Sequence, residues 1–186
     1  MHTDAFLAGL LARKIKKVSD IRDIQAFKSG KFSFKIMKEA DLAFFNEVRT
    51  DANRQLHTDS LLTQEESKRW FQNNQDSLYF IVFCDKKQLG YFRTNSFNFE
   101  DRNLYVGADF HKDFRSPDHE VPAYRAFFRI MNEIGFSHFY LETFSLNERD
   151  IKLYKKLGFR KIEEVDHEIR NGERVFNIIM EKNYAE

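Results

Sequence analysis

Apolar positions change their period several times along the chain, and each change marks an element. Phe32, Phe34 and Ile36 alternate with Ser33, Lys35 and Met37, the period of a half-buried strand. Leu42, Phe44, Phe45 and Val48 recur at helical spacing and predict a helix over Asp41 to Arg49. Thr63-Gln64-Glu65-Glu66 carries the capping-box pattern, Thr followed three residues later by Glu, and opens a helix through Trp70 and Phe71. Leu78 to Cys84 and Leu89 to Asn95 read as strands joined at Asp85-Lys86-Lys87-Gln88, and a third strand, about Asn103 to His111, completes a meander. Val121 to Ile134 is the longest periodic helix of the body and stops at Gly135. A strand over Phe136 to Thr143, a helix over Glu148 to Leu157 and a strand over Arg160 to Arg170 follow. Asn171-Gly172 then supplies a tight hairpin turn into Val175 to Met180.

Upstream of these elements, Phe6, Leu7, Leu10, Leu11, Ile15 and Val18 fall near helical spacing and predict a helical arm over residues 4 to 28. Six Lys/Arg against three Asp in residues 1 to 30 make it basic. Such a helix can pack on its own domain, on a second copy or on a protein partner, or lie on a membrane surface. Ser29-Gly30 punctuates the chain, so the expected division is an arm over 1–30 and a body over 31–186.

Composition narrows the function classes. The chain has 186 residues, 42% hydrophobic and 16% aromatic, enough for one well-filled core. A formal net charge of +1 gives no field that would gather nucleic acid or anionic lipid. Cys84 is alone, so no internal disulfide forms, and a thiol in an apolar run suits a reducing compartment. No apolar run approaches the ~20 residues of a membrane span, and the N-terminus lacks the order of a signal peptide. The expected location is therefore cytoplasmic. The six histidines show no paired metal spacing. Nucleophile elbow, Walker and Rossmann patterns are absent.

The densest local signal is Leu141 to Phe159, LETFSLNERDIKLYKKLGF, where Asn147, Tyr154, Gly158 and Phe159 occur together. This stretch resembles the C-terminal signature of the GNAT acyltransferases. The element order over about residues 32 to 182 is similar to theirs, as is Gly90 after the second strand of the meander. The segment from Ala40 to Phe71 resembles the ribosomal-protein-alanine and amino-sugar acetyltransferase branches. The resemblance implies an α/β fold, a mixed central sheet of six to seven strands with flanking helices. It also implies acetyl transfer from acetyl-CoA, as co-substrate, to a primary amine: a small amine, an amino sugar or a protein N-terminus.

Site residues follow by position. Tyr154 matches the tyrosine that protonates the departing thiolate. Asn147 matches an asparagine beside the cofactor, and it is equally a helix N-cap. Ala108, Asp109 and Phe110 lie where the family strand meets pantetheine. Strand alternation sends Asp109 to the opposite face from Ala108 and Phe110, where it can accept the amine proton, with His111 as a second candidate base. Arg49 and His57 match acceptor-side positions. The diphosphate turn before the long helix begins at Arg115, with Ser116, His119 and Val121 as further cofactor contacts. Here the sequence departs from the family: Asp118 and Glu120 occupy its two glycine places, adding bulk and negative charge beside an anion site. That departure keeps a second reading open, a GNAT-fold protein without catalysis that serves as a binding or assembly module through its arm.

Overall fold

The computed structural model describes residues 15–24, 26–56, 63–74, 76–170 and 173–184. Its helices are α1 (Val18–Arg22), α2 (Leu42–Leu56), α3 (Gln64–Asn73), α4 (Pro117–Glu133) and α5 (Glu148–Lys156). Its strands are β1 (Phe27–Ser29), β2 (Phe32–Ile36), β3 (Leu78–Cys84), β4 (Lys87–Asn98), β5 (Asn103–Phe110), β6 (His138–Phe144), β7 (Arg160–Arg170) and β8 (Glu173–Asn183). The capping box forms as its residues dictate: Thr63 Oγ1 accepts from the Glu66 N–H at 3.2 Å, and Glu66 Oε2 accepts from the Thr63 N–H at 2.7 Å.

One eight-stranded sheet runs in the order β1-β2-β3-β4-β5-β6-β8-β7. Every neighbouring pair is antiparallel except β5 and β6, which are parallel. That parallel pairing is short: Asn103 with His138, Leu104 with Phe139, and Tyr105 with Tyr140. Tyr105 and Tyr140 stack at 5.4 Å where the pairing ends. Past them the two strands separate, each still held by its outer neighbour, and a wedge opens in the middle of the sheet.

Alternation along the strands feeds two cores. Phe34, Phe80, Val82, Phe92, Leu104, Val106, Phe139 and Leu141 face α4, whose Phe127 stacks on Phe92 at 4.3 Å. Tyr79, Ile81 and Tyr91 face the other way, against Phe45 and Val48 of α2 and Trp70 of α3. Gly90 is required by close approach, because a Cβ there would stand 2.1 Å from the Asp109 carbonyl oxygen. The contact presses β4 onto β5 beside the wedge.

The N-terminal expectation needs correction where the structure describes it. In place of a helix running to residue 28 there is the short α1, followed by β1, which pairs with β2. Gly30-Lys31 is the turn of that hairpin, with Gly30 at φ 58°. Ile15, Ile21 and Phe27 are buried in the main core, and the Ile15 carbonyl accepts from Arg102 Nη1 at 3.1 Å. The helical spacing of the apolar positions from Phe6 to Val18 extends over Phe27 to Ser29 because that strand is too short to show a period of its own. This added strand takes the sheet from the expected six or seven to eight. Residues 1–14 lie outside the described residues.

Candidate active site

The wedge is the root of a cavity of about 670 Å³. Gly107, Ala108 and Asp109 of β5 line one side, Glu142, Thr143 and Phe144 of β6 the other, and Asn147, Asp150 and Tyr154 reach in from α5. Phe45, Arg49, Trp70, Tyr79, Tyr91 and Arg93 form the wall on the α2–α3 face. A sheet normally separates its two faces. Because this one splits, a residue packed with the α4 core and a residue of the opposite face open into one space.

Tyr154 belongs to the α4-side core and is 6% exposed. Burial, followed by the charge of Asp150, holds its phenol well above the ordinary range, so it stays protonated at any physiological pH. Tyr124 of α4, whose ring stands edge-on to it at 6.1 Å, works in the opposite direction. The α5 backbone is fixed at both ends. Asn147 is its N-cap, with Oδ1 accepting from the Asp150 N–H at 3.3 Å and Nδ2 donating to Asp150 Oδ2 at 2.7 Å. Gly158, at φ 90°, closes the other end, with its N–H bonded to the Lys155 carbonyl at 3.0 Å.

Asp109 faces the cavity from the far wall, as alternation predicts. The Tyr91 hydroxyl donates to its Oδ2 in a short hydrogen bond. Burial pushes the carboxyl above its usual range, while Tyr91 and the guanidiniums of Arg93 and Arg115 pull the other way. Arg93 draws the Tyr79 phenol down against the larger effect of burial, and it lies over Gly107, where a Cβ would come within 3.1 Å of its Nη2. His111, the second candidate base, is held outside the cavity by Glu47 at 3.1 Å and Asp113 at 3.5 Å. Its backbone turns out of β5 before the side chain can reach the wedge.

On the α2–α3 wall, the Arg49 guanidinium stands 5.4 Å from the Trp70 ring centre and 5.9 Å from that of Phe45. Those two rings stack at 5.1 Å. His57 lies outside the described residues. Tyr91, Arg93, Trp70, Glu142, Asp150, Tyr124 and His167 were not singled out in the sequence. For Tyr91 and Arg93 a usable signal existed: on β4 they share the strand face that pairs beside Asp109. The others depend on contacts between distant segments.

The turn before α4 differs most from expectation. Ser116 is the N-cap, Pro117 the first helical residue, and the long helix starts four residues earlier than its apolar period. Phe110 and Val121 are buried, so only their backbones are available to a ligand. Arg115 Nε donates to the Phe110 carbonyl at 2.8 Å, tying the turn to the end of β5. Ser116 Oγ and His119 Nδ1 meet at 2.9 Å. Glu120 does not fill an anion site. It is 3% exposed, and both its oxygens accept from Arg149 Nη2 at 2.6 Å. Helical geometry turns its side chain inward to α5, where its charge is matched. Asp118 stays in water. An open groove of about 520 Å³ between the start of α4 and α5 is lined by Pro117, Glu120, Glu148, Arg149, Lys152, Leu153 and Lys156, with Arg149 paired to Glu120 and Lys152 to Glu148. With those two pairs formed, Lys156 and the α4 N-terminus make up its positive side.

Among the described residues, no cluster has the makings of a metal site, and no helix is long and apolar enough to cross a membrane. No curated protein matches the chain. Solved structures do. The ribosomal L7/L12 α-N-protein acetyltransferase RimL in complex with coenzyme A superposes with a TM-score of 0.71 at 14% identity, covering 85% of this chain and 97% of its own. A spermidine N-acetyltransferase SpeG variant from Vibrio cholerae gives 0.69 at 14% identity, over 84% and 96%. The putative acetyltransferase yncA from Salmonella typhimurium, with its cofactor acetyl-CoA, gives 0.63 at 16% identity, over 83% and 95%. At these identities the likeness is one of fold. A family model described as an acetyltransferase (GNAT) domain matches residues 33–160, from β2 through α5, and with most of its length inside that match the chain belongs to the GNAT acetyltransferase family.

Proposed function

We propose that this protein is an N-acetyltransferase that moves the acetyl group of acetyl-CoA to a primary amine. The observation that carries the reading is the wedge, with Tyr154 and Asp109 opening into one cavity from opposite faces of the sheet. Pantetheine would enter between β5 and β6 along Ala108 to Phe110. The diphosphate would lie at the turn of Arg115, Ser116 and His119, by the backbone of Val121, with Lys156 of the adjoining groove alongside.

The amine nitrogen attacks the acetyl carbonyl carbon and the C–S bond breaks. Tyr154 gives its proton to the departing sulfur, and Asp109 takes the proton lost by the amine. The two residues then return to their starting states by exchange with solvent. A carboxyl raised by burial is a better base for this than an exposed one. The cavity wall carries Asp109, Glu142 and Asp150 against Arg49 and Arg93, which favours a cationic amine. Arg49 is placed to hold an anionic or carbonyl group of the same acceptor. Neutralisation of Glu120 by Arg149 weighs against the reading of a non-catalytic module, because it removes one of the two charges that motivated it. Burial of Ile15, Ile21 and Phe27 favours an N-terminal segment that packs on its own domain.

Calorimetric titration with acetyl-CoA tests the first step. At a hundredfold excess over Kd it should stabilise the fold by about 2.7 kcal/mol. Thiol release is then measured with spermidine and with a peptide bearing a free α-amino group. Binding without release with either would leave only the module reading, and absence of binding would end the enzyme reading.

A further inference from the structure

A chain of hydrogen bonds runs from the start of α4 to the cavity wall. Glu120, buried in the first turn of α4, accepts from Arg149 Nη2 at 2.6 Å. Arg149 Nη1 donates to Asp150 Oδ1 at 3.0 Å, and Asn147 Nδ2 donates to Asp150 Oδ2 at 2.7 Å. The Asn147 carbonyl oxygen is taken as well, by the Asp150 N–H at 3.3 Å. Both ends of the Asn147 amide are thus engaged by Asp150. The Asp150 carboxylate itself is not used up: it has about four acceptor positions, and one donor sits on each oxygen. Its side chain is 27% exposed and lines the wedge cavity. Two donors fix its direction, and its free lone pairs are left for a ligand.

We infer that Asp150 is a cofactor-binding residue that accepts a hydrogen bond from an amide N–H of the pantetheine arm, with Asn147 as the residue that positions it. The inference rests on the reading that coenzyme A occupies the wedge. Place decides the kind of partner. Asp150 and Tyr154 stand four residues apart on α5, about one helical turn, so they are neighbours on one face, and both line the cavity. The sulfur would lie beside Tyr154 and the diphosphate at the start of α4, which Glu120 and Arg149 join to the start of α5. The arm between sulfur and diphosphate then passes Asp150. Asp109, which meets the amine, stands on the far wall beside Tyr91. Pantetheine carries two amide N–H groups and a hydroxyl, so it brings donors and no charge. An ionised acceptor holds such a donor about twice as strongly as a neutral one. Arg149 bonds both Glu120 and Asp150, so neither carboxylate faces the diphosphate without a counter-charge. The asparagine that the family resemblance puts beside the cofactor therefore acts here through its neighbour.

The test titrates the full chain calorimetrically with coenzyme A and with 3′-phospho-ADP, which is the cofactor without its pantetheine arm. Asp150→Ala leaves Arg149 paired with Glu120 and sets the best helix former on α5, so the fold is kept. Its Kd for coenzyme A should rise about tenfold or more, while its Kd for 3′-phospho-ADP stays within about twofold. Asn147→Ala should weaken coenzyme A as well, yet change its Kd less than about twofold in the Asp150→Ala background. An unchanged or lower Kd for coenzyme A in Asp150→Ala, an equal loss for both ligands, or independent losses in the double variant would overturn the inference. A second readout is independent of affinity. One pantetheine amide proton of bound coenzyme A should resonate downfield of its free position and move back in Asp150→Ala; amide protons that ignore the substitution would refute the contact. A parent protein that binds no coenzyme A would refute it together with the acetyl-transfer reading. Binding that depends on Asp150 in a protein that turns over neither spermidine nor the peptide would support the contact and end the enzyme reading alone.

Discussion

The two faces of the sheet are drawn from the same strands by the same alternation, yet they are made of different material. Toward α4, β3 and β4 present Leu78, Phe80, Val82 and Phe92, a hydrocarbon face closed by Phe127 and Phe128. Toward α2 and α3 they present Tyr79, Tyr91 and Arg93, rings with polar ends beside Asp109. One face excludes water by filling space. The other also excludes it but keeps hydroxyls and charges tied to one another, as buried polar groups must be. Period alone assigns residues to faces; only the polar atoms reveal which face works. Tyr154 is the exception, since it sits on the hydrocarbon side and opens into the cavity through the split between β5 and β6.

The comparison can be broken most severely from the N-terminus. Deleting residues 1–28 removes the buried Ile15, Ile21 and Phe27. At roughly 1.5–3 kcal/mol for each side chain, the loss rivals the whole stability of a typical domain. We expect a truncated body that is unfolded by circular dichroism. A folded, cooperative body would show that the segment is separable at Ser29-Gly30 after all. Next, Phe127→Ala should cost about 3–5 kcal/mol in denaturant unfolding while activity per folded molecule is retained, because its contacts lie on the hydrocarbon face. Tyr154→Phe should do the reverse: kcat falls roughly 10²–10⁴-fold with the melting temperature and acetyl-CoA affinity nearly unchanged. A large loss of stability there would mean that the hydroxyl is structural.

The smallest effect sharpens the comparison through pH. The folded-state carboxyl of Asp109 is raised by burial, so the fold binds that proton more tightly than the unfolded chain does. Ionising it therefore costs stability. The cost is absent below the unfolded pKa, near 3.8, and develops as pH rises through the higher folded value. Asp109→Asn, whose carbonyl can still accept from Tyr91, should be more stable than the parent at pH 7, with the difference vanishing below about pH 4. The same variant should lose the rise in kcat/KM that accompanies Asp109 ionisation. Equal melting curves at both pH values would show that the carboxylate is not strained by its site.

Much of the architecture is legible in the sequence because it depends on local periods and caps. The Thr63–Glu66 box, the β3–β5 meander, the Asn147 cap and the alternation that points Asp109 away from Phe110 all follow from neighbours within a few residues. What was hidden depends on contacts across the chain. Glu120 reads as a charge intruding on an anion site until Arg149, 29 residues away, is seen to hold it. Tyr124 reads as one more apolar-face aromatic until Tyr154 stands beside it. The first strand was obscured by a different cause. Phe27 to Ser29 is too short to show a period of its own and was absorbed into the preceding helical pattern.

The three-residue parallel pairing between β5 and β6 has a consequence for exchange with solvent. Beyond Tyr105 and Tyr140, the backbone of the two strands that borders the gap has no sheet partner across it among the described residues. An extended ligand seated there takes the place of a missing rung ladder. Deuterium uptake at Val106 to Phe110 and Leu141 to Phe144 should therefore record occupancy, slow when the gap is filled and fast when it is not. In that sense the protein is an incomplete sheet, and what it binds finishes it.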